Sequence, residues 1–209
     1  MALLRRPARW LGEVPWLLLR LGRAGGGHAF GTLSVWYWYE RLTMRLWHVR
    51  PIRPGGMLMV SESRHHGPPV SLEDGTVIHD GDGVIELHMD NDFIGRGLAA
   101  DKLTPWRVLR TMNADLRALA ALVASGEFPD ARAVHGVSLF AAGGARIGME
   151  LRDLPDTAYW HLVRYFMIGL LALHHPNGWS RVGHMRRTAW PQEVWESRAA
   201  LLTRVAAGR

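Results

Sequence analysis

Glu86, His88 and Asp90 occupy alternate positions in the segment PPVSLEDGTVIHDGDGVIELHMDN (68–91), and Asn91 follows directly. In an extended strand, side chains two apart share a face, so these carboxylates and the imidazole should project together. An imidazole beside carboxylates can move a proton near neutral pH, or ligate a metal through one ring nitrogen. Asn91 adds an amide able to orient a carbonyl or hydroxyl. The grouping has an equally physical alternative, a buried polar network that fixes the strand, because buried polar groups must find partners. The expected catalytic residues are Glu86, His88 and Asn91, with Asp90, His65 and His135 as ligand-binding neighbours. His65, His66, His79, His88 and His135 all fall in or beside expected strands.

Several other chemistries are excluded or unsupported. The chain has no Cys, which removes disulfides, thiolate catalysis and Cys-ligated zinc. There is no HExxH, no His pair four residues apart and no GxSxG, so zincin and hydrolase-elbow readings lack support. The acid–Gly turns at 74–75 and 80–83 share their composition with calcium loops. Their spacing does not fit an EF-hand, no Glu stands at the closing position, and turn chemistry explains the Asp residues better. Gly25, Gly26 and Gly27 lack the strand–loop–helix setting and the Lys-Ser/Thr ending of a phosphate loop, so they read as a hinge. No metal and no cofactor is expected.

The elements that must carry the candidate site follow from hydrophobic period and turn residues. A helix is expected from Thr32 to about Val49, with Trp36, Tyr39, Leu42, Leu46 and Trp47 on its apolar face. Its Trp36-Tyr37-Trp38-Tyr39 run reads either as core packing or as a stacking platform for a sugar or base. Pro51, Pro54, Gly55 and Gly56 turn the chain. Strands are expected at Met57–Ser63, Val70–Leu72, Thr76–His79 and Val84–Met89, with a hairpin at Asp74-Gly75. Leu103–Ser125 predicts a long helix whose buried stripe is Trp106, Leu109, Met112, Leu116, Leu119 and Leu122. Ala133–Phe140 and Arg146–Arg152 predict a hairpin around residues 141–144. Tyr159–His174 is an apolar helix too short to span a bilayer, ended by Pro176-Asn177-Gly178. Trp190–Val205 predicts a final helix with Pro191 in its first turn.

At 209 residues, with 48% hydrophobic and 21% charged residues, the chain has the composition of a globular protein able to bury a full core. Ten Trp are an excess that suits cores, interfaces or stacking surfaces. The charge is unevenly spread: residues 1–56 carry +7, residues 57–101 carry −7 and residues 102–209 carry +6. The acidic middle can dock on its basic flanks, or the basic ends can face an anionic partner such as a lipid surface. Residues 1–23 place Leu3, Leu4, Trp10, Leu11, Val14, Leu17, Leu18 and Leu21 largely at three- and four-residue spacing, between Arg5, Arg6, Arg9 and Arg20. That pattern reads as an amphipathic segment, interrupted by Pro7 and Pro15, that either lies in a membrane interface or packs on the domain. It holds no run of the roughly 18 to 20 apolar residues that a spanning helix needs, and no convincing signal-peptide cleavage site.

The succession YERLTMRLWHVRP (39–51), residues 67–91, GMEL with a following LPD (148–156) and WESRAALLTRV (195–205) resembles the YkoP-like family. The pattern GD-x-V-x-ELH-x-x-N is its most specific part, carried here by Gly81, Asp82, Val84, Glu86, Leu87, His88 and Asn91. Gly83 before Val84 is a departure that gives the turn extra slack. The resemblance covers about residues 33–205 and implies a bacterial protein whose family also occurs joined to polysaccharide deacetylase domains. That association points to cell-envelope carbohydrate chemistry; the deacetylase domain itself is absent, so its metal and catalytic residues do not transfer.

The resulting expectation is an α+β protein with a small antiparallel sheet of about five to six short strands packed with three to four helices. Residues 1–31 would form the basic amphipathic segment and Gly-rich link, and residues 32–209 a single YkoP-like domain. The expected function is an accessory or binding domain in envelope glycan or lipid metabolism, with its site on the ELHxxN strand. The alternative is a small enzyme using Glu86 and His88 for acid–base work on a lipid-linked or small substrate. Expected partners are a glycan or glycolipid ligand, a membrane surface met by residues 1–23, and a second copy of the chain. Nucleic acid is not expected, because no recognition motif accompanies the charge and the acidic middle opposes it. The expected location is the cytoplasm, at the inner face of the membrane.

Overall fold

Alternating apolar residues between acid–Gly turns build the sheet that holds the candidate site. The computed structural model describes residues 38, 41–100, 102, 104–174 and 189–206. Helical turns at 41–46 lead into β1 (Arg50–Pro51), which pairs with β2 (Leu58–Arg64). The Asp74-Gly75 turn closes a separate hairpin of β3 (Val70–Ser71) and β4 (Val77–Ile78). Gly75 takes φ +84°, a conformation that costs glycine little, and Thr76 N–H donates to Asp74 Oδ1 at 2.9 Å. β5 (Gly83–Met89) then runs antiparallel to β2, with Ser61 opposite Glu86 and Met59 opposite His88.

Two helices follow, α1 (Asn91–Ala99) and α2 (Pro105–Ala124). Thr104 caps α2 by accepting the Arg107 N–H, and Pro105 fills the first position, where no N–H is needed. This long crossover returns the chain so that β6 (Ala131–Ser138) lies parallel to β5. The chain continues through α3 (Ala142–Ala145), β7 (Glu150–Asp153), α4 (Ala158–His174), β8 (Gln192–Ser197) and α5 (Arg198–Ala206). The six-stranded sheet has the order β1-β2-β5-β6-β8-β7. The fold is α+β, and the sheet is mixed, with the β5–β6 junction as its parallel pair.

One face of the sheet carries the main core. Val60, Ile85, Val134 and Val194 pack against Leu116, Leu119 and Val123 of α2 and Leu201 of α5. Asp115 lies fully buried on α2, where Oδ2 accepts the N–H groups of Met57 (2.8 Å) and Leu58 (3.0 Å). Its Oδ1 meets Arg53 Nε at 2.5 Å, so the buried charge is compensated. Gly56 is required beside it, since a Cβ there would stand 2.6 Å from Asp115 Oδ1. On the opposite face, Leu72 and Ile78 of the β3–β4 segment cover Val84, Ala133 and Trp195. That hairpin closes one end of the second face.

The structure corrects several expected elements. β6 and β7 do not form a hairpin; β8 lies between them and pairs with both, and the Ala141–Gly144 stretch begins the short helix α3. A Cβ on Gly144 would stand 2.9 Å from Val194 Cγ1, so glycine there serves close packing on β8 rather than a turn. Residues 190–205 are not one helix: Val194 to Ser197 are buried in sequence between two strands, and the helix begins only after Ser197. Ser197 Oγ accepts the Ala200 N–H at 2.9 Å, which marks that start. Trp106 is 74% exposed and does not belong to the buried stripe of α2. The expected segment 1–31, residues 32–37, 39 and 40 of the expected Thr32–Val49 helix and the 176–178 stop lie outside the described residues.

Candidate functional site

The face opposite α2 carries a row of functional side chains across five strands. Register places Ser61 (β2) beside Glu86 (β5), Glu86 beside His135 (β6), His135 beside Trp195 (β8), and Trp195 beside Glu150 (β7). Directly paired residues point to the same side, so one row of the pleat presents these groups together. Two residues further along their strands, His88, Glu193 and Arg152 stand on that same face. The alternation read in residues 84–89 thus delivers Glu86 and His88 to one side, and the register brings His135 to them.

The contacts within this face are specific. Ser61 Oγ lies 2.9 Å from His88 Nε2, and the Trp47 ring is centred 6.3 Å from that imidazole. His135 Nε2 stands 3.5 Å from Glu193 Oε1, while Trp195 Nε1 donates to Glu193 Oε2 at 3.1 Å. The His135 ring also lies against Trp195 with centroids 4.2 Å apart, and His65 meets the same indole edge-on at 5.7 Å. His65 is held in place by its Nε2 at 2.9 Å from the Pro68 carbonyl. Arg152 approaches Glu150 at 3.7 Å, and Glu150 Oε1 accepts the Glu73 N–H at 2.8 Å, which ties the row to the β3–β4 turn.

Burial and neighbouring charge set the protonation states. Burial pushes the His88 imidazole below its ordinary pKa; Glu86 opposes that shift and His135 adds to it. His88 is therefore neutral at pH 7, able to accept a hydrogen bond at one ring nitrogen. For Glu193, burial alone would raise the carboxyl. Hydrogen bonds from His135 and Trp195, with the charges of His135 and Arg152, outweigh it and hold Glu193 below its ordinary value. The face thus holds an ionised carboxylate on β8 and a neutral imidazole on β5, with β6 between them.

These groups open on a cavity of about 1510 Å³. Glu86, His88, His135 and Glu193 line it, as do His65 and Asn91. Most of the remaining wall is apolar; it includes Phe166 and Leu170 of α4 and also Leu87, Val194, Leu109 and Met112 from the α2 side, so the cavity is lined by residues of both faces of the sheet. A largely apolar cavity with a few convergent polar groups is the usual form of a small-molecule site. Among the described residues, no group of three or more His, Asp or Glu is placed to hold a metal ion.

Other histidines and carboxylates are used differently. β5 ends at Met89, and Asp90 Oδ1 accepts the Phe93 N–H at 2.9 Å, which caps α1. His66 is exposed and pairs with Asp80 at 3.6 Å. His79 is exposed beside the turn, where its backbone N–H donates to Asp82 Oδ2 at 2.8 Å. Sequence reading missed Ser61, Glu193 and Trp195. Ser61 was visible as the residue facing Glu86 once two antiparallel strands were paired. Glu193 and Trp195 were hidden in a segment read as helix, although Ser197 as a helix cap marked 192–197 as something else.

The family model of the YkoP domain matches residues 30–205. No curated protein and no solved structure matches the chain.

Proposed function

The chain belongs to the YkoP domain family, and from that premise we propose that it binds an amphipathic small molecule whose polar head meets the Glu86–His88–His135–Glu193 face. The observation that carries this reading is that one cavity is lined both by these four side chains and by apolar residues of α2 and α4. Two carboxylates and a neutral imidazole suit a head rich in hydroxyl donors. The apolar wall suits an acyl or isoprenoid tail. A glycolipid of the cell envelope combines these features, and the polysaccharide deacetylases joined to relatives point the same way.

Titration of the full chain with monomeric dodecyl glucoside, followed by Trp fluorescence, tests this. Saturable binding is expected, with free glucose binding far more weakly, because the tail contributes through apolar burial. Glu86→Gln and His88→Gln should each weaken binding by roughly tenfold or more, as expected for hydrogen bonds to charged or buried groups. Equal affinity in wild type and both variants, or no saturable binding, would overturn the reading. A second reading, acid–base catalysis, is favoured by the His135–Glu193 pair and the neutral His88. Mass spectrometry of the recovered probe separates the two: binding alone leaves it intact, whereas catalysis converts it in a manner lost in His88→Gln.

A further inference from the structure

Exposed aromatic and aliphatic side chains line the cavity or sit on the segments that line it. Trp38, Leu42 and Leu46 recur every four residues and are 68%, 55% and 65% exposed. In the helical turns at 41–46 that spacing puts Leu42 and Leu46 on one outward face. Thr43, Met44 and Trp47, on the same segment, line the cavity. Phe140, Tyr159 and Leu162 also line the cavity yet are exposed by 52%, 64% and 59%. Trp106 follows Pro105, another lining residue, and is the most exposed large apolar side chain among the described residues. Isolated exposed leucines are ordinary; this many large apolar groups on the segments that line one cavity is not.

Asp92, paired with Arg41, and the exposed Asp156 also lie by these segments, but three arginines there have no such partner. Arg45, Arg107 and Arg146 are exposed, and among the described residues none of them has a carboxylate within ion-pair distance. Arg45 sits on the stripe segment, Arg107 follows Trp106, and Arg146 lines the cavity itself. Tryptophan and leucine flanked by unpaired arginine is the chemistry of an interface with an anionic bilayer: rings enter the headgroup layer while guanidinium groups meet phosphate. Among the described residues no helix is long and apolar enough to cross a membrane, so this contact would lie on the surface.

We infer that this rim of exposed apolar and basic side chains docks mouth-first on an anionic lipid surface, so that an amphipathic ligand passes between bilayer and cavity without crossing water. The passage of ligand rests on the proposed binding function; the docking rests on the rim alone. Arg146 and Trp47 would lie at the boundary, and the Glu86–His88 face deeper within. The inferred contact differs from one made by residues 1–23, because it places the cavity opening against the lipid.

Co-sedimentation of the full chain with phosphatidylcholine vesicles, with and without phosphatidylglycerol, tests the docking. Binding should be stronger to the anionic vesicles and fall with added salt. The combined Arg45→Glu and Arg107→Glu variant should bind them roughly thirtyfold more weakly, or less still, from the worth of basic residues near an anionic surface. Leu46→Ser, Trp106→Ser and Leu162→Ser together should reduce binding to both vesicle types while the melting temperature stays near wild type. His88→Gln should sediment like wild type. Unchanged sedimentation of the rim variants overturns the docking, whatever the glucoside titration shows. Conversion of a dimer into a monomer by the apolar variant, with sedimentation unaltered, also overturns it and assigns the rim to self-association. Normal docking with no glucoside binding would instead sink the ligand and leave the surface standing.

Discussion

Glu86, His88 and His135 illustrate how far side-chain identity alone can be read. Period two in residues 84–89 was enough to put Glu86 and His88 on one face, because a strand offers only two. It could not say which partner strand would bring the third group, since register between distant strands depends on the whole sheet. Asp90 shows the limit within a single segment: the alternation continues through it in sequence, but the chain turns and its carboxylate caps α1. The lowered pKa of His88 has a consequence for stability. The unfolded chain takes up a proton at this imidazole near 6.5, while the folded chain resists it until lower pH. The contribution of His88 is therefore complete above about pH 6.5 and is lost as pH falls through its folded value. His88→Gln should flatten the decline of unfolding free energy between pH 7 and pH 5, measured by urea denaturation. An unchanged slope would show that His88 titrates alike in both states.

Among the elements, those with strong local signals were legible and those set by their neighbours were not. The β3–β4 hairpin announced itself through Asp74-Gly75, and α2 through its apolar stripe and its Thr104-Pro105 start. β8 did not, because Val194-Trp195-Glu196-Ser197 has no alternation; its residues are buried on both sides between β6 and β7. Tertiary pairing overrode helical propensity there. The same lack of local signal hid Glu193 and Trp195, which belong to β8. The junction of β1, β2 and α2 rests on Asp115, a residue that helix periodicity alone would not single out. Asp115→Ala leaves the Met57 and Leu58 N–H groups and Arg53 without their partner. It should cost about 3–5 kcal/mol in chemical denaturation. A loss below about 1 kcal/mol would mean that water replaces the carboxylate without penalty. Because Asp115 does not itself line the cavity, Asp115→Asn should preserve ligand affinity in the protein that remains folded.

Taken together, the chain separates its two faces by task. Aliphatic packing of α2 and α5 on one side of the sheet supplies the stability, which frees the other side to hold acidic and imidazole groups around a cavity. The uneven charge along the sequence follows the same division. The acidic stretch 57–101 contributes Glu86 to the cavity wall, while Arg146, from the basic C-terminal flank, lines the same cavity. An amphipathic ligand lying in that cavity must touch both ends of it at once. Isotope-edited NMR of the full chain, with labelled His imidazoles and Met methyls, observes both ends in one titration with dodecyl glucoside. The predicted result is that His88 and His135 shift together with Met112 along one saturation curve, and that Glu86→Gln weakens all three responses equally. Movement of Met112 alone, with both imidazoles silent, would contradict a polar head seated on the sheet.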